Sequence, residues 1–373
     1  MRIAIVSNTA WYLFNFRLNL MKLLRDEGHS VIALAPHDEF AQAIEEAGFN
    51  FQSLPVMGGG VNPFLELMSV FSLWKVLRRE RVDLVFSYTP KGNLYSALSA
   101  LLAGPRFVPN VSGLGRAFIH KSLVTKVVLV LYKFTLNKAE KVFFQNNDDL
   151  RSFVELGLVQ REKSERLPGS GVDLNRFSVV APVLRESQKL VFLLVARMLW
   201  DKGVGEFVDA AGVVKKKYPN IRFQLLGSLD ADNPSAISKE KVAEWTSAGI
   251  VEYLGYTKDV RPYLEDADCV VLPSYREGVP RTLLEAAAIS RPIITTDAPG
   301  CKDTVIDGVT GFICEVKSSA ALANAIELFI KMPAEQRLQM GEKGRQYVEE
   351  CFDERAVLER YLSVVKFVKS KSL

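Results

Sequence analysis

Two carboxylates eight positions apart, Glu277 and Glu285, sit in the stretch SYREGVPRTLLEAAA at 274–288. The stretch follows DCVVLPS, an apolar run that reads as a buried strand, and its second half reads as helix. Glu277 therefore falls in a loop leaving a strand, and Glu285 in the second turn of the helix. Pro280 suits the first helical position, where its missing N–H costs nothing. N–H groups at such a helix start lack partners within the helix and suit an anion. A nucleotide sugar has complementary parts: hydroxyls that donate to carboxylates, and a diphosphate for the amides. The competing reading is a solvated loop acid beside an unrelated helical acid. The strand–loop–helix setting and the EG-P context weigh against it.

Cations stand in a similar setting. VARMLWDKG at 195–203 leaves another strand, with Arg197 and Lys202 in the exit and Gly203 opening the next helix. Two cations near a helix start can clamp phosphate; the alternative is an ordinary basic loop. GSLDADNPS at 227–235 and LGYTKDV at 254–260, which contains Tyr256, are further strand exits that can line a nucleotide base. In the first half, SNTAWYLFNFR at 7–17 offers Asn8 and Arg17. Arg17 is either a contact for an acceptor phosphate or a surface arginine. Lys91 in YTPKGN follows a strand end before a helix and is an acceptor-phosphate candidate. Gly113 and Gly115 in VSGLGRAF let backbone approach a ligand, or serve turns alone.

These residues need strand ends to stand on. Short β-branched runs alternate with amphipathic segments: RIAIVS, FRLNLMKLLRDEG, VIALAP, EFAQAIEEAG, and later VDLVFS, RFVPNVS and KVFFQN. The alternation predicts a parallel sheet covered on both faces. Gly28 and Gly48 close their helices. The pattern lapses over 170–188, which reads as a linker, and restarts from LVFLLVARM through PIITTD; after 317 the chain reads as helical. The expected architecture is α/β: two doubly wound parallel-sheet domains, 1–180 and 188–352, facing across a cleft. A last helix, about 353–373, is free to pack back on the first. Ligands in such sheets sit beyond the carboxyl ends of the strands.

At 373 residues, with 48% apolar and 24% charged content, the chain can bury a core in each half. Four cysteines without CxxC spacing argue against zinc or a disulfide framework. MRIAIVSN reads as a first strand and not a signal peptide, and no apolar run reaches spanning length. A cytoplasmic protein is the expectation. Charge is uneven: residues 60–141 hold 12 Lys/Arg against 4 Asp/Glu, a net +8. Such an excess suits phosphate, nucleic acid or a membrane surface. Phe64, Phe71 and Trp74 fall within about 80° of a helix and WKVLRRER follows, which suits an interfacial helix; packing into the core is the competing and favoured reading. Lys121, Lys126, Lys133 and Lys138 share no single helical face. No phosphate-binding GxGxxG or Walker loop is present, no His/Cys/carboxylate set has metal-site spacing, and no nucleic-acid module appears. Metal independence, no cofactor and no nucleic-acid partner are expected.

ARMLWDKG, LGYTKDV, VVLPSYREGVPRTLLEA and GVTGF, in this order over 190–315, resemble the donor domain of the GT-B glycosyltransferases of family four. NPF, FSYTPKGNLYSALSALLAG, NVSGLGRAF and PGSGVDLNRF resemble the subgroup that builds bacterial surface glycans on polyprenyl-diphosphate carriers. The resemblance implies a donor site in which Glu277 binds sugar hydroxyls and the backbone of Gly278, Val279 and Pro280 approaches the sugar and diphosphate. Arg197 and Lys202 would hold the diphosphate, and Glu285 the ribose. Many relatives have glycine where Pro280 stands, so one N–H contact is lost here. It also implies retention of configuration, with the departing phosphate oxygen able to take the acceptor proton. Some members use a histidine near the acceptor. Of the three here, His29 looks structural, His37 is open, and His120 follows GLGRAFI as an acceptor-site candidate.

The expected activity is transfer of a sugar, an N-acetylhexosamine with N-acetylgalactosamine favoured, from a UDP donor. The acceptor is an undecaprenyl-diphosphate-linked saccharide at the inner face of the cell membrane. Two rivals remain: a UDP-sugar 2-epimerase on the same fold, and a non-catalytic polyprenyl-phosphate binder.

Overall fold

The computed structural model describes residues 1–55, 62–112, 123–181, 185–187, 189–229 and 233–371. The chain forms two compact units, Met1–Ser170 with Arg355–Leu373, and Gly171–Glu354. The boundary falls earlier than the 180 read from the lapse in pattern. Val172 and Phe177 are the reason, since both are buried in the second unit's core.

The first unit holds β1 (Arg2–Val6), β2 (Ser30–Ala35), β3 (Asn50–Ser53), β4 (Leu84–Tyr88), β5 (Arg106–Val111), β6 (Val142–Phe144) and β7 (Ser164–Arg166). All pair in parallel, in the order β3-β2-β1-β4-β5-β6-β7. Between them run α1 (Ala10–Asp26), α2 (Ala41–Glu46), α3 (Pro63–Arg79), α4 (Pro90–Ala103), α5 (Leu123–Leu136) and α6 (Asn147–Glu155). Helices cover both faces, so β4 is buried at every residue, Ser87 included, and reads as a near-continuous apolar run. Its side chains still alternate: Val85 joins the core under α4, while Leu84 and Phe86 join the core under α1. α1 starts six residues before the FRLNL run because Thr9 caps it, accepting from the Tyr12 N–H at 3.1 Å.

The second unit holds β8 (Val191–Val195), β9 (Arg222–Leu226), β10 (Glu252–Tyr253), β11 (Cys269–Leu272), β12 (Ile293–Thr296) and β13 (Gly311–Cys314), all parallel, in the order β10-β9-β8-β11-β12-β13. Its helices are α7 (Val204–Lys215), α8 (Lys239–Ser247), α9 (Arg261–Asp266), α10 (Arg281–Ala288), α11 (Ser319–Lys331) and α12 (Ala334–Cys351). A last helix, α13 (Glu354–Ser370), belongs to the first unit: Val357, Tyr361, Val365 and Val368 form a buried stripe in the core under α1. The Tyr361 hydroxyl accepts from Asn110 Nδ2 at 2.8 Å.

Both sheets reverse their strand order once, between β1 and β4 in the first and between β8 and β11 in the second. At such a switch point the loops leaving the two middle strands run in opposite directions and open a crevice at the carboxyl edge. No described helix is long and apolar enough to cross a membrane.

Candidate functional site

In the second unit the two strands at the switch point deliver opposite charges to one place. Lys202 ends a short 3-10 turn after β8, and Glu277 lies in the loop after β11. Lys202 Nζ donates to Glu277 Oε1 in a close ion pair. The pair is only partly shielded, with side-chain exposures of 22% and 14%.

Backbone holds the two loops together. The Tyr275 N–H donates to the Asp201 carbonyl at 3.0 Å, and Ser274 Oγ donates to the same oxygen at 3.2 Å. Gly203 makes the approach possible. Its φ is +71°, and a Cβ there would lie 2.1 Å from the Pro273 carbonyl oxygen. A third loop closes on Glu277 from β12: the Glu277 N–H donates to the Pro299 carbonyl at 3.0 Å, and Gly300, at φ +80°, packs where a Cβ would meet the Gly278 oxygen at 2.2 Å.

Glu285 meets a different cation. On α10 it pairs with Arg281, one turn earlier, at 2.8 Å, and it is nearly buried. Burial raises its pKa above the ordinary carboxylate value; Arg281 and Arg176 pull the other way without cancelling the effect, and Asp259 adds to the rise. Pro280 is the residue before the helix, its N-cap, and not the first helical residue as expected. Its ψ of 109° is extended, so the helix begins at Arg281. Gly278 is buried, and Val279 packs on the core beneath.

Arg197 stands exposed just past β8, and Tyr256 half-exposed past β10, both on the carboxyl side of the same sheet. Further neighbours escaped the sequence reading. Tyr275 donates its hydroxyl to Glu206 at 2.6 Å and lies under Lys317, whose Nζ is 4.8 Å from the ring centre. Burial and Glu206 raise the Tyr275 pKa, so it stays a donor. The Cys301 thiol is pushed up to about 12, by burial first and the Glu277 charge second, with Lys202 opposing; it is a packing group and no nucleophile. Arg281 was legible in the i,i+4 spacing to Glu285. Tyr275 and Glu206 meet across 69 residues, with no local signal. Asp268, just before β11, accepts from the Val191 N–H at 2.8 Å and ties β11 to β8 at their amino ends. Among the described residues no three His, Cys, Asp or Glu side chains could jointly hold a metal ion.

In the first unit, Asn8 follows β1 and Lys91 opens α4 after β4, so both stand at that sheet's switch point. Lys91 is held by Glu66 of α3 at 2.8 Å. Arg17 corrects the surface reading. Its guanidinium is buried, 4.1 Å from the Tyr88 ring centre, and donates to the Tyr12 hydroxyl at 3.1 Å. Burial opposes its charge, and the surrounding Tyr12, Tyr88 and Tyr361 outweigh that effect and raise its pKa. Gly113, Gly115, His120 and residues 230–232 of GSLDADNPS lie outside the described residues. His29 faces the N-terminal amine, with Nδ1 at 3.4 Å, and His37 packs edge-on to Phe51.

A family profile described as glycosyl transferases group 1 matches residues 179–347, and one described as glycosyl transferase 4-like domain matches 16–169. The Campylobacter jejuni N,N'-diacetylbacillosaminyl-diphospho-undecaprenol alpha-1,3-N-acetylgalactosaminyltransferase is 30% identical, over 98% of each chain. The chain belongs to the GT-B glycosyltransferases of family four, and it is a glycosyltransferase. A second relative is the Escherichia coli UDP-Gal:alpha-D-GlcNAc-diphosphoundecaprenol alpha-1,3-galactosyltransferase, 25% identical over 73% of each chain. Among solved structures, Anabaena HepE in complex with UDP and glucose is 18% identical with a TM-score of 0.79, covering 98% of this chain and 99% of that one; this likeness speaks to fold alone.

Proposed function

We propose that this enzyme moves an N-acetylhexosamine, N-acetylgalactosamine first, from a UDP donor to an undecaprenyl-diphosphate-linked saccharide, with retention and without a metal. It would act from the cytoplasm, peripherally at the inner face of the cell membrane. The observation that carries this reading is the Lys202–Glu277 pair at the switch point of the second sheet. The activities of the two relatives support the carrier, and the UDP-Gal donor of the Escherichia coli enzyme supports UDP. The uneven charge of residues 60–141 supports an anionic surface as partner.

The residues divide the work. An ammonium has three N–H donors; Glu277 takes one and orients the group, leaving two for diphosphate oxygens. Arg197 adds a second cation from the same loop. Glu277 reads sugar hydroxyls, and the backbone of Gly278, Val279 and Pro280 lines the approach. Glu285 accepts from the ribose, and Tyr256 offers a face to the base. In the first unit Asn8 and Lys91 receive the acceptor.

The bond from the sugar anomeric carbon to the UDP β-phosphate oxygen breaks, and the acceptor oxygen bonds to that carbon on the same face. The acceptor proton passes to the departing phosphate oxygen. Negative charge grows on UDP as it leaves, and cations already in place stabilise it.

Incubation with a panel of UDP-sugars and an undecaprenyl-diphosphate saccharide tests the reading. One α-linked product from one UDP-N-acetylhexosamine is expected, its configuration read by NMR. Epimerised UDP-sugar formed without acceptor, or no transfer from any UDP-sugar, would overturn it.

A further inference from the structure

The expectation that Phe64, Phe71 and Trp74 pack inward fails on α3. This helix buries Ser69, Leu73 and Leu77, and the aromatics lie on the opposite side. Phe64, Leu67, Met68 and Phe71 form an exposed stripe there, and Trp74 stacks on Phe71 with ring centres 5.0 Å apart. α5, on the other flank of the buried α4, repeats the pattern with Val127, Val130 and Phe134. These seven residues are 46–69% exposed, far more apolar surface on one side than a solvent-facing helix layer normally carries.

Cations are interleaved with them. Lys75 lies 4.6 Å from the Phe71 ring centre, Arg78 5.7 Å from that of Trp74, and Lys138 5.1 Å from that of Phe134. Lys126 and Lys133 are exposed beside Val127, Val130 and Phe134, while Lys121 lies outside the described residues. Among the described residues none of these five cations has a carboxylate partner.

We infer that the outer face of α3 and α5 docks on an anionic bilayer, aromatics entering the headgroup boundary and the cations meeting acidic lipid. The inference rests on the lipid-carrier reading above and gives it a place. The apolar end of α3 also carries Glu66, which holds Lys91 at the start of α4. A carrier whose tail stays in the bilayer would bring its diphosphate to that end.

Flotation with phosphatidylglycerol–phosphatidylcholine vesicles, against phosphatidylcholine alone, tests it. The whole chain should float with the anionic vesicles and be released by high salt. Phe64→Ser with Phe71→Ser should weaken partitioning at least about tenfold. Lys126→Gln with Lys133→Gln should weaken it roughly fivefold per charge, only on anionic vesicles. Both variants should keep wild-type transfer to a water-soluble, short-prenyl acceptor, so a failure of docking is told apart from a failure of the enzyme assignment. Variants that float like wild type would overturn the inference. So would a wild-type chain that ignores vesicles while transferring sugar, or one whose exposed face instead forms a dimer that Phe64→Ser with Phe71→Ser dissociates.

Discussion

Replacing Lys202 with alanine separates catalysis from stability, because the structure sets different sizes for the two effects. Lys202 and Glu277 are partly exposed, so Glu277 can rehydrate once its partner is gone. Breaking a fully buried pair costs about 3–5 kcal/mol; here the cost should fall to about 1–3 kcal/mol. In a unit the size of Gly171–Glu354, each kcal/mol moves Tm by roughly 2–4 °C. The folded fraction at assay temperature should therefore hardly change. On the proposed role the transition state loses more, because a cation aimed at growing phosphate charge is worth roughly 3–4 kcal/mol, or 10²–10³ in kcat.

The assay is UDP release under saturating donor and acceptor, paired with thermal denaturation of the same sample. Lys202→Ala should lose 10²-fold or more in kcat with a small drop in Tm. Glu277→Gln keeps an oxygen for Lys202 but loses the charge that orients it, and should fall between wild type and Lys202→Ala. If the two side chains act as a unit, the double variant is little worse than Lys202→Ala alone. A folded Lys202→Ala with kcat within about threefold of wild type would refute the reasoning.

Three further outcomes follow from the same geometry. Gly203→Ala forces a side chain into positive φ and onto the Pro273 carbonyl, and should cost more than about 1 kcal/mol by denaturant melt, with kcat falling as Lys202 shifts. Glu285 has a raised pKa in the folded chain, so its own contribution to stability is fullest at pH below 4.5 and declines as pH rises through the raised value. On the proposed ribose contact, UDP binding takes the opposite sign, because an ionised carboxylate is the better acceptor: calorimetric affinity should climb with pH above 4.5, and Glu285→Gln should flatten the climb. Arg17→Met removes a buried charge for which no carboxylate is seen among the described residues while keeping volume, so Tm should hold or rise, whereas Arg17→Ala leaves a cavity and should cost about 2–5 kcal/mol; a raised acceptor KM in Arg17→Met at unchanged Tm would instead place the guanidinium at the acceptor.

Strand exits were legible because a strand buried on both faces is written as a short apolar run, and the polar residues after it mark where the sheet stops. That is how Arg197, Lys202, Tyr256 and Glu277 could all be placed on one edge. Their pairing was not legible. Lys202 and Glu277 are 75 residues apart, and nothing local says that β8 and β11 are neighbours. Arg17 failed for the opposite reason. Its loop was read correctly as a strand exit, but Thr9 starts the helix early and turns Arg17 inward beneath Tyr88. The exposed face of α3 failed because an apolar stripe on a helix is usually core, and only the position of Leu73 and Leu77 shows which stripe is inside.

Strand order explains the rest. Each sheet reverses between its first and fourth strands, so in each the loops after those strands flank the crevice. In the second unit these loops carry Lys202 and Glu277; in the first, Asn8 lies in the loop after β1 and Lys91 in the first turn of α4. The two pairs fall at equivalent places in two separately folded sheets. On the proposed function the two crevices would take one ligand each, the donor in the second unit and the acceptor in the first.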